Sequence, residues 1–374
     1  SARELTDAGL ALSILSPDGT RLAVAVPNEL CIYEIDSEAS ICETPPDGIG
    51  LGRIPLHWSP DSRYIAFTAD FYRLLLEPDV ILFDTVNGRF TNLTPDSTDR
   101  IRLGQNSEGA LIDIAVAWAP DSQSLILYRL LPGSTGGFDD GSLGLYRLPI
   151  AGGEPELLVD LTPALGSIPG LNYTVPTSLE GAMVLSPDGA RLAFAIFMPP
   201  SREQENGVWV ADLESGEVAQ IASQFAIDAT LSEAMGRARL TVLGLSWTAD
   251  GSGLYIHSRS PVTRAAALHR FDFNTDSLTS MVDLGAVEFD SNGNSMDESA
   301  LDLPLWAAPT PSRDGVVYMS AFDDMLRLSK ARIVGGVVES EVIYEGPLPN
   351  VSPMTIDGVG TNGTAILGGV IFQP

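Results

Sequence analysis

"LSPDGTRLAVA" (residues 15–25) decides the fold. An apolar stretch runs into Ser16-Pro17-Asp18-Gly19 and leaves as the alternating strand Leu22-Ala23-Val24-Ala25. Pro17 presets φ near −65°, the value that the second position of a turn requires. Asp18 follows, where a short polar side chain bonds the local backbone. Gly19 accepts a positive φ, as a three-residue hairpin loop with a bulge requires. The Ser16 hydroxyl stands in front, able to cap the turn. The stretch reads as two antiparallel strands joined tightly.

The same turn is written again. "LSPDGARLAFA" (185–195) is a near-copy, "WSPDSRYIAFT" (58–68) and "WAPDSQSLILY" (118–128) are close, and "WTADGSGLYIH" (247–257) replaces Pro with Ala249. "PSRDGVVYMSA" (311–321) is looser, with Arg313 in that position, and "GTNGTAILGG" (360–369) keeps only the shape. The anchors Asp18, Asp61, Asp121, Asp188, Asp250, Asp314 and Asn362 are spaced by 43, 60, 67, 62, 64 and 48 residues. Recurrence on this scale signals an array before it signals separate domains. Trp58, Trp118 and Trp247 directly precede their turns, where an aromatic ring is expected to pack against the neighbouring repeat. Third strands follow ("ELCIYEID", "DVILFDTVNG", "LGLYRLPIAGG", "GVWVADLESG", "ALHRFDFNTD"), and then fourth strands ("RFTNLT", "EPELLVD", "EVAQIAS", "SLTSMVD"). Four antiparallel strands repeated around an axis make a β-propeller.

These residues resemble the TolB-type (WD40-like) propeller repeat, an aromatic followed by Ser-Pro-Asp-Gly and an Ile-Ala-Phe-like strand. The resemblance covers essentially all of residues 1–374, read as one propeller domain. It is strong at Asp18, Asp61, Asp121 and Asp188, and weak at Asp314 and Asn362. No segment resembles the N-terminal α/β domain that TolB itself carries. The resemblance implies an exported setting, periplasmic or at the cell surface. At the chain ends, "ARELTDAG" resembles a fourth strand, and the last repeat has room for only two or three. Seven blades are expected, six being the runner-up, with Arg3–Thr6 pairing beside the C-terminal strands so that the ring closes without exposed edges.

The formal net charge is −28, from 21 basic and 49 acidic residues. Such a surface repels nucleic-acid backbones and anionic lipid, so neither is an expected partner. No apolar run approaches the roughly 20 residues of a membrane span. Ser1 in place of Met reads either as the residue after a removed leader or as an expression scar. A two-residue turn at Asp36-Ser37 in "CIYEIDSEASIC" would set Cys31 opposite Cys42, within cross-strand disulfide reach; the alternative is two half-buried thiols. Two cysteines without a nearby histidine are too few for structural zinc.

Blade geometry puts the Ser-Pro-Asp-Gly turns on one face and the long connections (94–110, 132–142, 161–178, 224–240 and 284–303) on the other. Loops on a rigid scaffold carry function, so the long-loop face is the candidate binding surface. "ATLSEAMGRAR" (229–239) is expected to be helical, with Thr230 and Glu233 at capping-box spacing. In "DSNGNSMDES", Asp290, Asn292, Asn294, Asp297 and Glu298 are hard oxygen ligands suited to Ca²⁺. Gly293 and Leu301 depart from the EF-hand pattern, and a solvated acidic loop is the alternative. Asp139 and Asp140 read as part of a flexible loop. No other cofactor is expected. His57, His257 and His269 read as satisfied or half-exposed, with His57 directed toward the central channel. No Gly-x-Ser-x-Gly elbow, His-Glu-x-x-His or phosphate-cradling loop occurs. The expected function is non-enzymatic, a scaffold binding a protein or peptide through the long-loop face or the channel. The alternative is a channel hydrolase or lactonase, which needs carboxylates converging from inner strands; only Asp113 interrupts their apolar run.

Overall fold

The computed structural model describes residues 2–4, 12–26, 29–37, 39–46, 49, 51, 56–69, 79–95, 112–131, 141–165, 183–196, 200–230, 241–259, 266–284, 303–309, 315–322, 325–347, 356–359, 365–367 and 370–372. They are all-β, in antiparallel four-stranded sheets. A first strand, β1 (Ala2–Glu4), stands apart in sequence from its sheet. Six sheets each take four consecutive strands. The first contains β2 (Leu12–Leu15), β3 (Arg21–Val26), β4 (Glu29–Glu34) and β5 (Ser40–Glu43). The second contains β6 (His57–Trp58), β7 (Tyr64–Thr68), β8 (Val80–Asp84) and β9 (Arg89–Asn92). The third contains β10 (Ile112–Trp118), β11 (Ser124–Leu131), β12 (Ser142–Pro149) and β13 (Glu156–Asp160). The fourth contains β14 (Met183–Leu185), β15 (Arg191–Ile196), β16 (Gly207–Asp212) and β17 (Val218–Ser223). The fifth contains β18 (Thr241–Trp247), β19 (Gly253–Arg259), β20 (Ala266–Asp272) and β21 (Ser277–Leu284). The sixth contains β22 (Leu303–Pro309), β23 (Val316–Phe322), β24 (Met325–Val334) and β25 (Val337–Pro347).

A further sheet joins β26 (Ile356–Val359), β27 (Ala365–Leu367) and β28 (Val370–Phe372) to β1. Its register sets Ala2 opposite Phe372 and Glu4 opposite Val370. The N-terminal strand therefore does pair beside the C-terminal ones, as far as Glu4; Thr6 lies outside the described residues. The leading strands of successive sheets neighbour one another in chain order, and β26 also neighbours β2.

The core lies between facing sheets. One cluster joins Ala23, Phe67, Ile126 and Phe194 of successive second strands, and another joins Ala193 to Ile256. Both faces of these second strands carry apolar side chains, so β7, β11 and β15 are buried on both sides.

The recurrent turn has one more loop residue than expected. Ser16 N–H donates to the Arg21 carbonyl at 2.8 Å, leaving Pro17–Thr20 as a four-residue loop. The return bond from Arg21 N–H goes to the Ser16 hydroxyl at 3.0 Å, which is why a hydroxyl residue opens the motif. That hydroxyl donates to Asp18 Oδ1 at 2.6 Å, and the same oxygen accepts Thr20 N–H at 3.0 Å. Ser59–Asp61, Ser186–Asp188 and Thr248–Asp250 repeat the arrangement, so Ala249 in place of Pro does not break it. Gly19, Gly189 and Gly251 take φ of 74°, 75° and 68° there, and Ser62 and Ser122 take 60°. A left-handed serine is strained, but its hydroxyl does what glycine cannot. Ser62 Oγ accepts Asp18 N–H, and Ser122 Oγ accepts Asp61 N–H, each at 3.1 Å from the preceding repeat. The Asp314 and Asn362 anchors lie outside the described residues.

The tryptophans bind backwards along the chain. Trp58 Nε1 donates to the Ile14 carbonyl at 3.0 Å, Trp118 to His57 at 2.8 Å and Trp247 to Val184 at 3.0 Å. Each acceptor is the residue just before the equivalent position of the preceding repeat. The preceding repeat answers. Arg21 lies 5.2 Å over Trp58 and bonds the Ser62 carbonyl; Arg191 lies 4.8 Å over Trp247 and bonds the Gly251 carbonyl at 2.7 Å. Tyr64, at the same motif position, stacks on Trp118 at 6.2 Å. The two near-identical stretches thus share an arginine that meets the tryptophan of the following repeat.

Candidate functional site

Two regions bear on function: the leading strands, which a channel site would use, and the ends of the sheets opposite the recurrent turns. Asp113, on β10, is buried and faces Arg129 across the β10–β11 register. Arg129 Nε and Nη2 each donate to one carboxylate oxygen at 2.6 Å. The guanidinium also lies 5.3 Å over the Tyr146 ring. Burial opposes its charge, but the Asp113 hydrogen bond and charge outweigh that and raise the Arg129 pKa. Both Asp113 oxygens thus engage Arg129 in a bidentate ion pair, which ties the leading strand to its neighbour.

His57 stands beside Trp58 on β6. Protein packed around its ring lowers its pKa to about 4, although its contact with the Ala115 backbone works in the opposite direction. The neutral imidazole is therefore favoured, on β6 where it meets the β10 backbone at Ala115. His269 is fully buried, with Nε2 2.7 Å from Thr230 Oγ1. His257 is also buried.

At the ends opposite the turns, three short elements are described: α1 (Thr162–Leu165), a 3₁₀ helix (Pro200–Glu205) and α2 (Gln224–Ala229). Of the expected helix over 229–239 only Ala229 and Thr230 are described, and they lie at the end of α2. The helix starts at Gln224, because Ser223 is its N-cap and accepts Ala226 N–H. Thr230 ends it, its hydroxyl donating to the Ile227 carbonyl at 2.8 Å. Residues 231–239, with Glu233, lie outside the described residues. α2 buries Ile227 and leaves Phe225 61% exposed. Gln224 N–H to Asn206 O and Trp209 Nε1 to Glu205 O tie it and the 3₁₀ helix to the fourth sheet.

Asp290, Asn292, Asn294, Asp297, Glu298, Asp139 and Asp140 all lie outside the described residues. Cys31 and Cys42 face each other in the β4–β5 register and form a disulfide. They approach Glu29 closely, but oxidised sulfurs offer no thiolate, so this group is no metal centre. Sequence reasoning missed the Asp113–Arg129 pair, the Thr230–His269 contact and the arginines over the tryptophans.

No family model and no curated protein matches the chain. Solved structures do. The β-propeller domain of Cps50 (Swd1) from Myceliophteria thermophila has TM-score 0.55 at 12% identity, over 99% of this chain and 98% of that one. An oligogalacturonate lyase in complex with manganese has TM-score 0.50 at 13% identity, over 93% of each chain. TolB from Acinetobacter baumannii has TM-score 0.44 at 16% identity, over 90% of this chain; the chain spans 64% of that TolB. The fold class is thus the β-propeller. Within it the chain is similar to TolB and other WD40-like propellers, and at these identities the likeness concerns fold alone.

Proposed function

We propose that the chain is one seven-bladed propeller, closed where β1 joins β28, that serves as an exported scaffold binding a protein or peptide through its long-loop face or channel. The observation that carries this reading is the segregation of connections. The recurrent turns are short and cross-linked between repeats. The connections from β9 to β10, β13 to β14, β17 to β18 and β21 to β22 all belong to the other end of the sheets, and the last runs from Leu284 to Leu303. Loops free to vary on a rigid frame suit recognition. Neighbour relations among the leading strands, including β26 with β2, support the ring. The Cys31–Cys42 disulfide supports an oxidising compartment. Among the described residues, no helix is long and apolar enough to cross a membrane.

The rival reading, a channel hydrolase or lactonase, draws on the likeness to a manganese-bound lyase. It loses force because Arg129 holds both oxygens of Asp113. Calcium at Asp290, Asn292, Asn294, Asp297 and Glu298 belongs to the proposal as a stabiliser of one loop, and a thermal midpoint indifferent to calcium and chelator removes it. The central test is affinity capture from native extract, comparing the intact chain with a variant whose 132–140 and 285–302 connections are replaced by short Gly-Ser linkers. A partner held by the first and lost by the second supports the scaffold. No partner, alongside a tightly bound metal by elemental analysis, reverses the ranking.

A further inference from the structure

The outer strand of the sixth sheet differs from its counterparts. The outer strands β5, β9, β13, β17 and β21 have 4, 4, 5, 6 and 8 residues, whereas β25 has 11. It pairs with the ten-residue β24 through a two-residue turn at Gly335 and Gly336, both with positive φ. Among the described residues β25 is the last strand of its sheet, so one row of backbone amides and carbonyls has no strand beside it. The hairpin also keeps apolar side chains in water: Val337 is 64%, Val342 55% and Ile343 48% exposed. A long, hydrophobic, exposed edge is what proteins ordinarily blunt with proline, lysine or a very short strand. Here the interior of β25, Val337 to Gly346, has no proline, lysine or arginine; its charges are Glu339, Glu341 and Glu345.

Those carboxylates define the occupant. Glu339 and Glu345 reach back to Arg332 and Arg327 at 3.1 and 3.0 Å, but as half-exposed pairs they keep one side toward solvent. A second copy of this chain would set glutamates near glutamates and oppose two bodies of charge −28, both unfavourable. An extended segment alternating lysine or arginine with β-branched residues would satisfy the edge backbone, oppose Glu339 and Glu341 across the strands, and cover Val342.

We propose that β25 is a strand-addition site for a basic, extended segment of a partner protein. The site lies on the outer rim and is independent of the long-loop reading, so either can fail without the other.

The probe is a nine-residue peptide alternating lysine and valine, with both ends blocked. Two controls are the same peptide N-methylated at alternate residues and a glutamate–valine peptide. Binding is read by fluorescence anisotropy and by amide exchange of the full chain. The expected result is slowed exchange over residues 337–345 and about tenfold weaker binding for the N-methylated peptide. E341K, and separately V342K, weaken the lysine peptide about tenfold, with unchanged circular dichroism. Slowed exchange elsewhere, equal affinity for both lysine peptides, or indifference to both substitutions overturns the proposal, because each means diffuse attraction to an acidic surface.

Discussion

Arg191→Met tests whether repeats are locked through the arginine that follows the recurrent turn. Methionine keeps an apolar stem over the neighbouring repeat and deletes the cation. Two kinds of contact go with it: a 2.7 Å hydrogen bond to the Gly251 carbonyl, and positions 4.8 and 4.6 Å over the Trp247 and Phe273 rings. A hydrogen bond to a charged group contributes about 1.5–3 kcal/mol, and solvent access to this half-buried side chain argues for the low end. A cation over an aromatic face adds about 0.5–1 kcal/mol where water still reaches it. The terms share one guanidinium and are not additive, so the expected loss is about 2 kcal/mol. Urea unfolding followed by circular dichroism measures it, provided the slope is unchanged. Trp247→Leu completes a double-mutant cycle; leucine is the natural residue at this position in the Leu15 and Leu185 repeats. The coupling should be about 0.5–1 kcal/mol. Arg63→Met is the control, since Arg63 bonds Asp84 within its own sheet and should matter less. A loss below about 0.5 kcal/mol, or strict additivity with Trp247→Leu, refutes the lock.

Other outcomes follow from the same contacts. Ser62→Ala keeps the left-handed φ of 60° and loses the acceptor for Asp18 N–H, whereas Ser62→Gly loses the acceptor but relieves the strain. The alanine variant should be less stable by about 1 kcal/mol, and the reverse order in chemical denaturation would remove the account of why serine stands there. Asp113→Ala strands a buried guanidinium and should cost about 3–5 kcal/mol, much of it regained in Asp113→Ala/Arg129→Met; thermal unfolding of the three proteins decides. Asp250 is held at about 2 by the Ser252 N–H and then the Thr248 hydroxyl, below its usual 3.8. Its contribution is present above pH 4 and lost as pH falls from about 4 to 2, so Asp250→Asn should flatten that part of an acid-stability profile.

Local chemistry was the most legible part of the chain. Asp18 bonds Thr20 and Ser16, two residues away on either side, so the motif carries its own partners. The third and fourth strands followed from alternation between polar turns, and β1 from its likeness to other fourth strands. Contacts that depend on register were not legible. Asp113 and Arg129 are 16 residues apart and meet only because β10 and β11 align them. Arg21 and Arg191 read as ordinary surface charges until a tryptophan 37 or 56 residues later folds beneath each. Thr230 and Glu233 suggested a helix start by spacing, whereas Thr230 ends a helix that Ser223 caps about two turns earlier. The long connections, where recognition was expected, have the least periodic sequence and gave only composition to reason from.

The pairing of Ala2–Glu4 with Val370–Phe372 imposes a timetable on biosynthesis. At a ribosomal rate of roughly 5–20 residues per second, β1 waits about 20–70 s for the strand it must join. Throughout that interval the hydrogen-bonding edge of Ala2–Glu4 lacks the strand that pairs with it. A message cut short before Val370, or cleavage ahead of it, leaves β1 in that state. Cover for the edge of β1 therefore depends on residues 370–372 and arrives only once they are in place.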